Sequence, residues 1–176
     1  MAGGSAAAKA QELRDKAARL EREAQQWDKG AEGERRTAAV LSSLAARGYV
    51  VLDDLAIPGS KANIDHVVIG PAGVVVVETK AYTGRVNVSD GALWHGRYPL
   101  RKELAAAQFE ADKVREVVAS TGWTVAVRSL MCIHGVEVPI DPTGSLGSIE
   151  LCGPLDLLAR IEAAPPLLGP AHVAHL

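Results

Sequence analysis

Asn63-Ile-Asp-His-Val-Val-Ile-Gly-Pro-Ala-Gly-Val-Val-Val-Val-Glu-Thr-Lys80 decides how this chain is read. Two β-rich runs, Asn63–Ile69 and Val74–Lys80, flank the break Gly70-Pro71-Ala72-Gly73, the pattern of a β-hairpin. Val74 to Val77 is continuously apolar, as expected of a strand covered on both faces. If Ile69 pairs with Val74, then Val67 faces Val76 and Asp65 faces Glu78, with Cβ atoms about 5 Å apart. Lys80 lies two residues beyond Glu78 and projects from the same face. Two carboxylates and an ammonium thus converge at one end of an apolar hairpin, although like charges directly opposed destabilise a sheet. A hard divalent cation on oxygen ligands, one raised carboxylate pKa, or neutralisation by Lys80 alone would each offset that repulsion. A one-residue slip would put Asp65 and Glu78 on opposite faces.

Working outward, residues 5–28 are rich in Ala, Glu, Arg, Lys and Gln and read as a helix. Ala6, Ala10, Leu13, Ala17, Leu20, Ala24 and Trp27 alternate spacings of 4 and 3, a heptad seam. Such a helix either self-associates or lies against its own domain. Lys29-Gly30-Ala31-Glu32-Gly33 is expected to interrupt it, with a second helix from about Ala31 to Arg47 stopped by Gly48. The buried face of that second helix is built from Thr37, Val40, Leu41 and Leu44. Glu34 points within about 20° of the same stripe, either as a first-turn surface acid or as something more specific. Tyr49–Ile57 reads as a strand, and Gly84–Val88 with Ala92–Trp94 as an extension of the sheet. Pro99 opens a long helix ending near Gly122, whose stripe is Leu100, Leu104, Ala107, Ala111, Val114 and Val118. Gln108, at the edge of that stripe, could reach core or cleft. Trp123–Val127, Leu130–Ile133 and Ile149–Cys152 read as strands, and Pro154–Ala163 as a final helix. The Pro- and Ala-rich tail, 165–176, is expected to be loosely held. The order predicts an α/β fold, a mixed central sheet flanked by helices with an N-terminal helical extension over 1–28.

The chain has 176 residues, 48% hydrophobic and 23% charged, enough for one domain plus an extension. Its net charge of −2 excludes a binder that works by bulk positive charge. Residues 129–176 hold a single basic residue, Arg160, against five acids, whereas Gly84–Lys102 holds Arg85, Arg97, Arg101 and Lys102 against Asp90 alone. An acidic or phosphate-bearing partner is therefore expected at the middle segment. Cys132 and Cys152 lack metal-ligand spacing and read as buried free thiols. His66 alternates away from Asp65 and reads as a packed histidine, and Trp27, Trp94 and Trp123 as anchors of seam or core. No run is long enough to cross a bilayer, and the N-terminal stretch lacks the apolar core of a secretory signal, which points to the cytoplasm.

Lys29-Gly-Ala-Glu-Gly-Glu34, Ile64-Asp-His-Val-Val-Ile-Gly-Pro-Ala-Gly73 and Val77-Glu-Thr-Lys80, with Tyr82 and Gly84, together resemble the nuclease-related domain family of the PD-(D/E)XK restriction-endonuclease-like superfamily. The elements occur in family order and spacing between about Trp27 and Val118, within a domain expected over 29–164. The resemblance implies a restriction-endonuclease-like sheet core and a metal-dependent nuclease acting on nucleic acid, most naturally DNA. It makes Asp65, Glu78 and the carbonyl of Thr79 the ligands of Mg²⁺ or Mn²⁺ and Lys80 the catalytic lysine. Glu34 matches an acid on the first helix that can complete the site, and Gln108 a helix glutamine near it. Arg85, Arg97, Arg101 and Lys102 would hold the nucleic-acid backbone without reading sequence. Apart from the resemblance, the seam over residues 5–28 leaves two arrangements open, a homodimer through the N-terminal helix or a helix laid against its own domain.

Overall fold

The computed structural model describes residues 4–138 and 145–176. In chain order it contains α1 (Gly4–Leu41), a 3-10 turn (Ser42–Arg47), β1 (Val50–Ala56), β2 (Asn63–Gly70), β3 (Gly73–Ala81) and β4 (Val86–Ser89). There follow β5 (Ala92–His95), β6 (Tyr98–Pro99), α2 (Arg101–Ser120), β7 (Val127–His134), β8 (Ser145–Leu146), β9 (Ile149–Cys152), α3 (Leu157–Glu162) and α4 (Pro170–Val173). Six strands form one mixed sheet in the order β1-β2-β3-β7-β9-β8, with β3–β7 and β7–β9 parallel and the remaining pairs antiparallel. This is the α/β architecture that the order of elements predicts.

β3 sits in the middle because its valines can be covered from both sides. Val75 and Val77 pack with Leu41, Leu44, Leu130, Leu157 and Ile161 beneath the end of α1 and α3. Val74 and Val76 pack with Val67, Ile69, Ala111, Val114 and Val118 beneath α2. The hairpin holds the expected register, Ile69 opposite Val74, Val68 opposite Val75 and Val67 opposite Val76, and the strands extend inward until only Pro71 and Ala72 form the turn. Asp65, in phase with Val67 and Ile69, and Glu78 and Lys80, in phase with Val74 and Val76, thereby belong to the α2 side.

α1 runs unbroken through Lys29–Gly33, against the expected interruption. Two glycines cost a helix interior about 1 kcal/mol each. Glu32 offsets part of this by pairing with Arg35 at 2.8 Å and Arg36 at 2.8 Å, and Gly33 is buried against the sheet. The helix tightens to the 3-10 turn at Ser42 and stops at Gly48, whose φ of 81° is the left-handed conformation expected there. β4 and β5 do not extend the main sheet; with β6 they form a separate three-stranded sheet. Val86, Leu93 and Leu100 bury it against Ala107, Met131 and Ile133. The two strands expected over 123–133 are one, β7, because Trp123–Ala126 lies outside the ladder. The tail is packed rather than loose: Leu167 and Leu168 donate their N–H groups to the Pro71 carbonyl at 2.6 and 3.1 Å. Val173 is buried with the β2 side chains, and the Trp123 ring meets His172 at 4.8 Å. Both cysteines are free and buried, as expected. Among the described residues, no helix is long and apolar enough to cross a membrane.

Candidate active site

Where the valines of β3 end, polar residues begin, and the alternation of the strand sorts them to two sides. On the α1 side, Thr79 donates its hydroxyl to Thr37 at 3.0 Å, and Thr37 meets His134 Nε2 at 2.8 Å, all three buried. Burial, reinforced by the charge of Arg36, holds the His134 ring below the usual histidine range, so it is neutral and can accept from Thr37. This line of hydrogen bonds ties α1 to β3 and β7. Gly33 lets the helix close on the strand, since a Cβ there would lie 3.3 Å from the Ala81 Cβ and 3.4 Å from the Thr79 methyl. Glu34, the next residue, is exposed at the rim of the sheet, close enough for its charge to act on Asp65.

On the α2 side stand Asp65, Glu78 and Lys80. Asp65 Oδ2 accepts the Thr79 backbone N–H at 2.7 Å, which fixes the carboxyl against β3. Glu78 is 5% exposed and ion-paired to Lys80, whose side chain stays 30% exposed. Burial, and next the Glu78 charge, push the Asp65 carboxyl up to about 7. Burial pulls the Lys80 ammonium down, but Glu78 and Asp65 outweigh it and the net shift is upward. Across the sheet the β1–β2 ladder omits the Asp54–Asp65 step, where Asp54 adopts φ +53° and accepts from Asn63 Nδ2 at 2.7 Å. A left-handed Asp inside a strand costs roughly 1–3 kcal/mol and marks a place where the sheet departs from regular pairing beside the acids.

The residue missing from the sequence reading is Glu110. It is 3% exposed on α2, hydrogen-bonded to Glu78, with Oε2 buried and unpartnered. Burial, followed by the Glu78 charge and hydrogen bond, pushes its carboxyl up to about 9, so it is protonated at neutral pH. Its signal was present: Ala107, Glu110, Ala111 and Val114 follow the i, i+3, i+4, i+7 rule, which places an acid inside the buried stripe.

Gln108 is not brought to the acids. It turns toward Ser148, whose hydroxyl donates to Gln108 Oε1, and toward Asp112, to which its Nε2 donates at 3.0 Å. Arg85, Arg97, Arg101 and Lys102 are all exposed. Arg85 and Arg97 flank one end of the small sheet, where Gly96 N donates to the Arg85 carbonyl at 2.9 Å and Arg97 lies 5.2 Å from the Tyr98 ring centroid. Arg101 and Lys102 open α2. Tyr82, its ring tilted against His95 at 4.7 Å, joins this sheet to the end of β3, and its hydroxyl feels the charges of both Glu103 and Lys80. His66 is packed as expected, 2% exposed with Nδ1 at 2.7 Å from Asp53 Oδ1.

Among the described residues, no three Asp, Glu, His or Cys side chains are already arranged around a common point for a metal ion. The oxygens on this side are chemically hard, the Asp65 and Glu78 carboxyls beside the Thr79 backbone. Such oxygens suit Mg²⁺ or Mn²⁺ rather than a thiophilic ion.

A family model described as the nuclease-related domain matches residues 29–134. An uncharacterized protein of Bacillus anthracis is 40% identical over 67 residues, covering 36% of this chain and 32% of that protein. No solved structure matches the chain. The family match runs from the part of α1 that docks on the sheet to the last residue of β7, over more than half of the chain, and the chain belongs to the nuclease-related domain family.

Proposed function

We propose that this protein is a metal-dependent nuclease that hydrolyses phosphodiester bonds, with DNA as the favoured substrate. The observation that carries the reading is the Asp65–Glu78–Lys80 cluster, ionisable groups gathered at the point where an otherwise apolar hairpin reaches the surface. Membership of the nuclease-related domain family supports it. Asp65, Glu78 and the Thr79 carbonyl would hold Mg²⁺ or Mn²⁺, and Glu34 at the rim would bear on the same site. When bound, the ion would acidify a water and neutralise charge on the phosphoryl oxygens.

The chain's own groups have distinct tasks. Thr79 N–H holds Asp65 Oδ2, so one carboxylate oxygen is positioned before substrate arrives. Lys80, kept charged by Glu78, supplies a fixed cation next to the acids, suited to the negative charge that grows in the transition state. Glu110, protonated and donating to Glu78, keeps that carboxylate in place while adding no negative charge. Arg101 and Lys102 stand at the positive end of the α2 dipole, where cations do not stabilise a helix but do attract an anionic backbone. Arg85 and Arg97 extend the basic rim along the small sheet.

Purified protein incubated with linear and circular DNA in Mg²⁺, Mn²⁺ or EDTA tests this reading. Cleavage with metal, its loss in EDTA and its loss in Asp65→Asn are expected. Binding without cleavage in every buffer would instead make the protein a nuclease-fold module that holds nucleic acid.

A further inference from the structure

Among the described residues, no position in the first seven turns of α1 is buried. Leu13 is 55% exposed, Leu20 51% and Trp27 80%, and the first buried position is Gly33, where the helix meets its own sheet. The helix is therefore not laid against its domain, and its apolar seam faces solvent along the whole projecting arm. We propose that this arm pairs with the same arm of a second copy, antiparallel, with Ala17 opposite the partner's Leu20.

Size matching selects this arrangement. Ala10, Ala17 and Ala24 occupy one position of the heptad, and Leu13, Leu20 and Trp27 the other. A parallel pair would stack like on like, leaving hollow Ala–Ala layers and crowding two Trp27 rings. In the antiparallel register Ala17 meets the partner's Leu20, Leu13 the partner's Ala24, and Ala10 the partner's Trp27. Each layer then holds one small and one large side chain, which fills space evenly.

The flanking charges agree independently. Beside the seam the first half of the arm carries Lys9, Arg14 and Lys16, and the second half Glu21, Glu23 and Asp28. Antiparallel pairing brings Arg14 beside the partner's Glu21 and Lys16 beside the partner's Glu23, each twice by symmetry. Parallel pairing would set Lys9 against the partner's Arg14 and Glu23 against the partner's Asp28, both repulsive, with Lys16 against the partner's Glu21 as its attractive pair, so the balance of charge favours the antiparallel sense. Among the described residues Lys16, Glu21 and Glu23 have no ion pair in the chain, and Arg14 reaches only the Gln11 side chain. Lys9, which the antiparallel register sets beside the partner's Gly30, is already engaged by Glu12 at 2.9 Å. At each end Ala6 falls opposite the partner's Ala31, a small-on-small layer that closes the seam just short of the buried Gly33. At 1.5 Å per residue the two Glu34 positions would stand about 45 Å apart along the shared axis. The dimer would hold two domains at opposite ends of a rod.

Sedimentation equilibrium of the full chain at about 100 μM, where any dimer of micromolar Kd is assembled, should give twice the 18.5 kDa chain mass. Leu13→Glu with Leu20→Glu should give the single-chain mass without changing the domain's melting temperature, because both leucines are exposed. An R14E/K16E chain and an E21K/E23K chain should each be monomeric alone and dimeric when mixed. Under oxidation A10C/W27C should crosslink between chains, whereas A10C alone should not; the native thiols are buried and stay silent. A monomeric wild-type chain overturns the proposal, and efficient A10C self-crosslinking overturns its antiparallel sense.

Discussion

At the scale of single residues the site is a problem in charge. Asp65, Glu78 and Glu110 crowd together with one cation, Lys80, among them, and the shifts of Asp65 and Glu110 share one physical source, burial followed by the Glu78 charge. Both carboxyls are raised above their unfolded values, so the folded state holds protons that the unfolded state has released. Their contribution to stability is present at low pH and is lost as pH rises from about 4 through about 7 for Asp65 and about 9 for Glu110. The metal-free protein should therefore melt lower at pH 8.5 than at pH 6, and Glu110→Gln, which keeps the hydrogen bond without the charge, should flatten that slope. Equal slopes for wild type and Glu110→Gln would place the proton elsewhere. Asp65→Asn should raise metal-free stability by relieving repulsion and abolish any rise in melting temperature on adding Mg²⁺. For the wild type that rise corresponds to about 2.7 kcal/mol at a hundredfold excess over Kd. Asp65, Glu78 and Lys80 were legible in the sequence because period-2 alternation and a short turn fix a hairpin register. The burial of Glu110 follows from the helical period of α2, whereas its meeting with Glu78 comes from the packing of α2 on β3, which no local pattern encodes.

At the scale of elements, the unbroken α1 shows how tertiary contact overrides a local signal. Gly30 and Gly33 look alike as helix breakers, yet among the described residues nothing lies within 4 Å of a Cβ at Gly30, while at Gly33 the strand is in contact. Gly30→Ala should stabilise the protein by up to about 1 kcal/mol. Gly33→Leu should destabilise it by roughly 1–3 kcal/mol by prising α1 from β3, and should shift Glu34 with it. Urea titrations of the two variants check the contrast, and equal effects would mean the close approach is unimportant. The independent β4–β5–β6 sheet was unreadable for a related reason. Its strands alternate like any others, and only the burial of Val86 and Leu93 against Met131 and Ile133 decides which sheet they join. The tail misled because its Pro and Ala content hides two backbone hydrogen bonds to Pro71 and the Trp123–His172 contact.

For the whole molecule, the question is how charge and shape meet a polymer. In the proposed function the polymer backbone is held by Arg85, Arg97, Arg101 and Lys102, all of them exposed. Neutralising Arg97, Arg101 and Lys102 together should weaken DNA binding and reduce the slope of log K against log salt by up to about 3, since up to three fewer counterions are released. An unaltered slope would move the binding surface elsewhere. In the proposed site Lys80 serves the reaction more than the ion. The decisive measurement is cleavage of linear DNA by Lys80→Ala in Mg²⁺, with metal binding followed in parallel by the melting temperature. The expected result is a retained Mg²⁺-induced rise together with a loss of cleavage of about 10²-fold or more. Cleavage by Lys80→Ala at the wild-type rate, or cleavage by the wild type undiminished in EDTA, would contradict a metal-dependent nuclease site at the end of this hairpin.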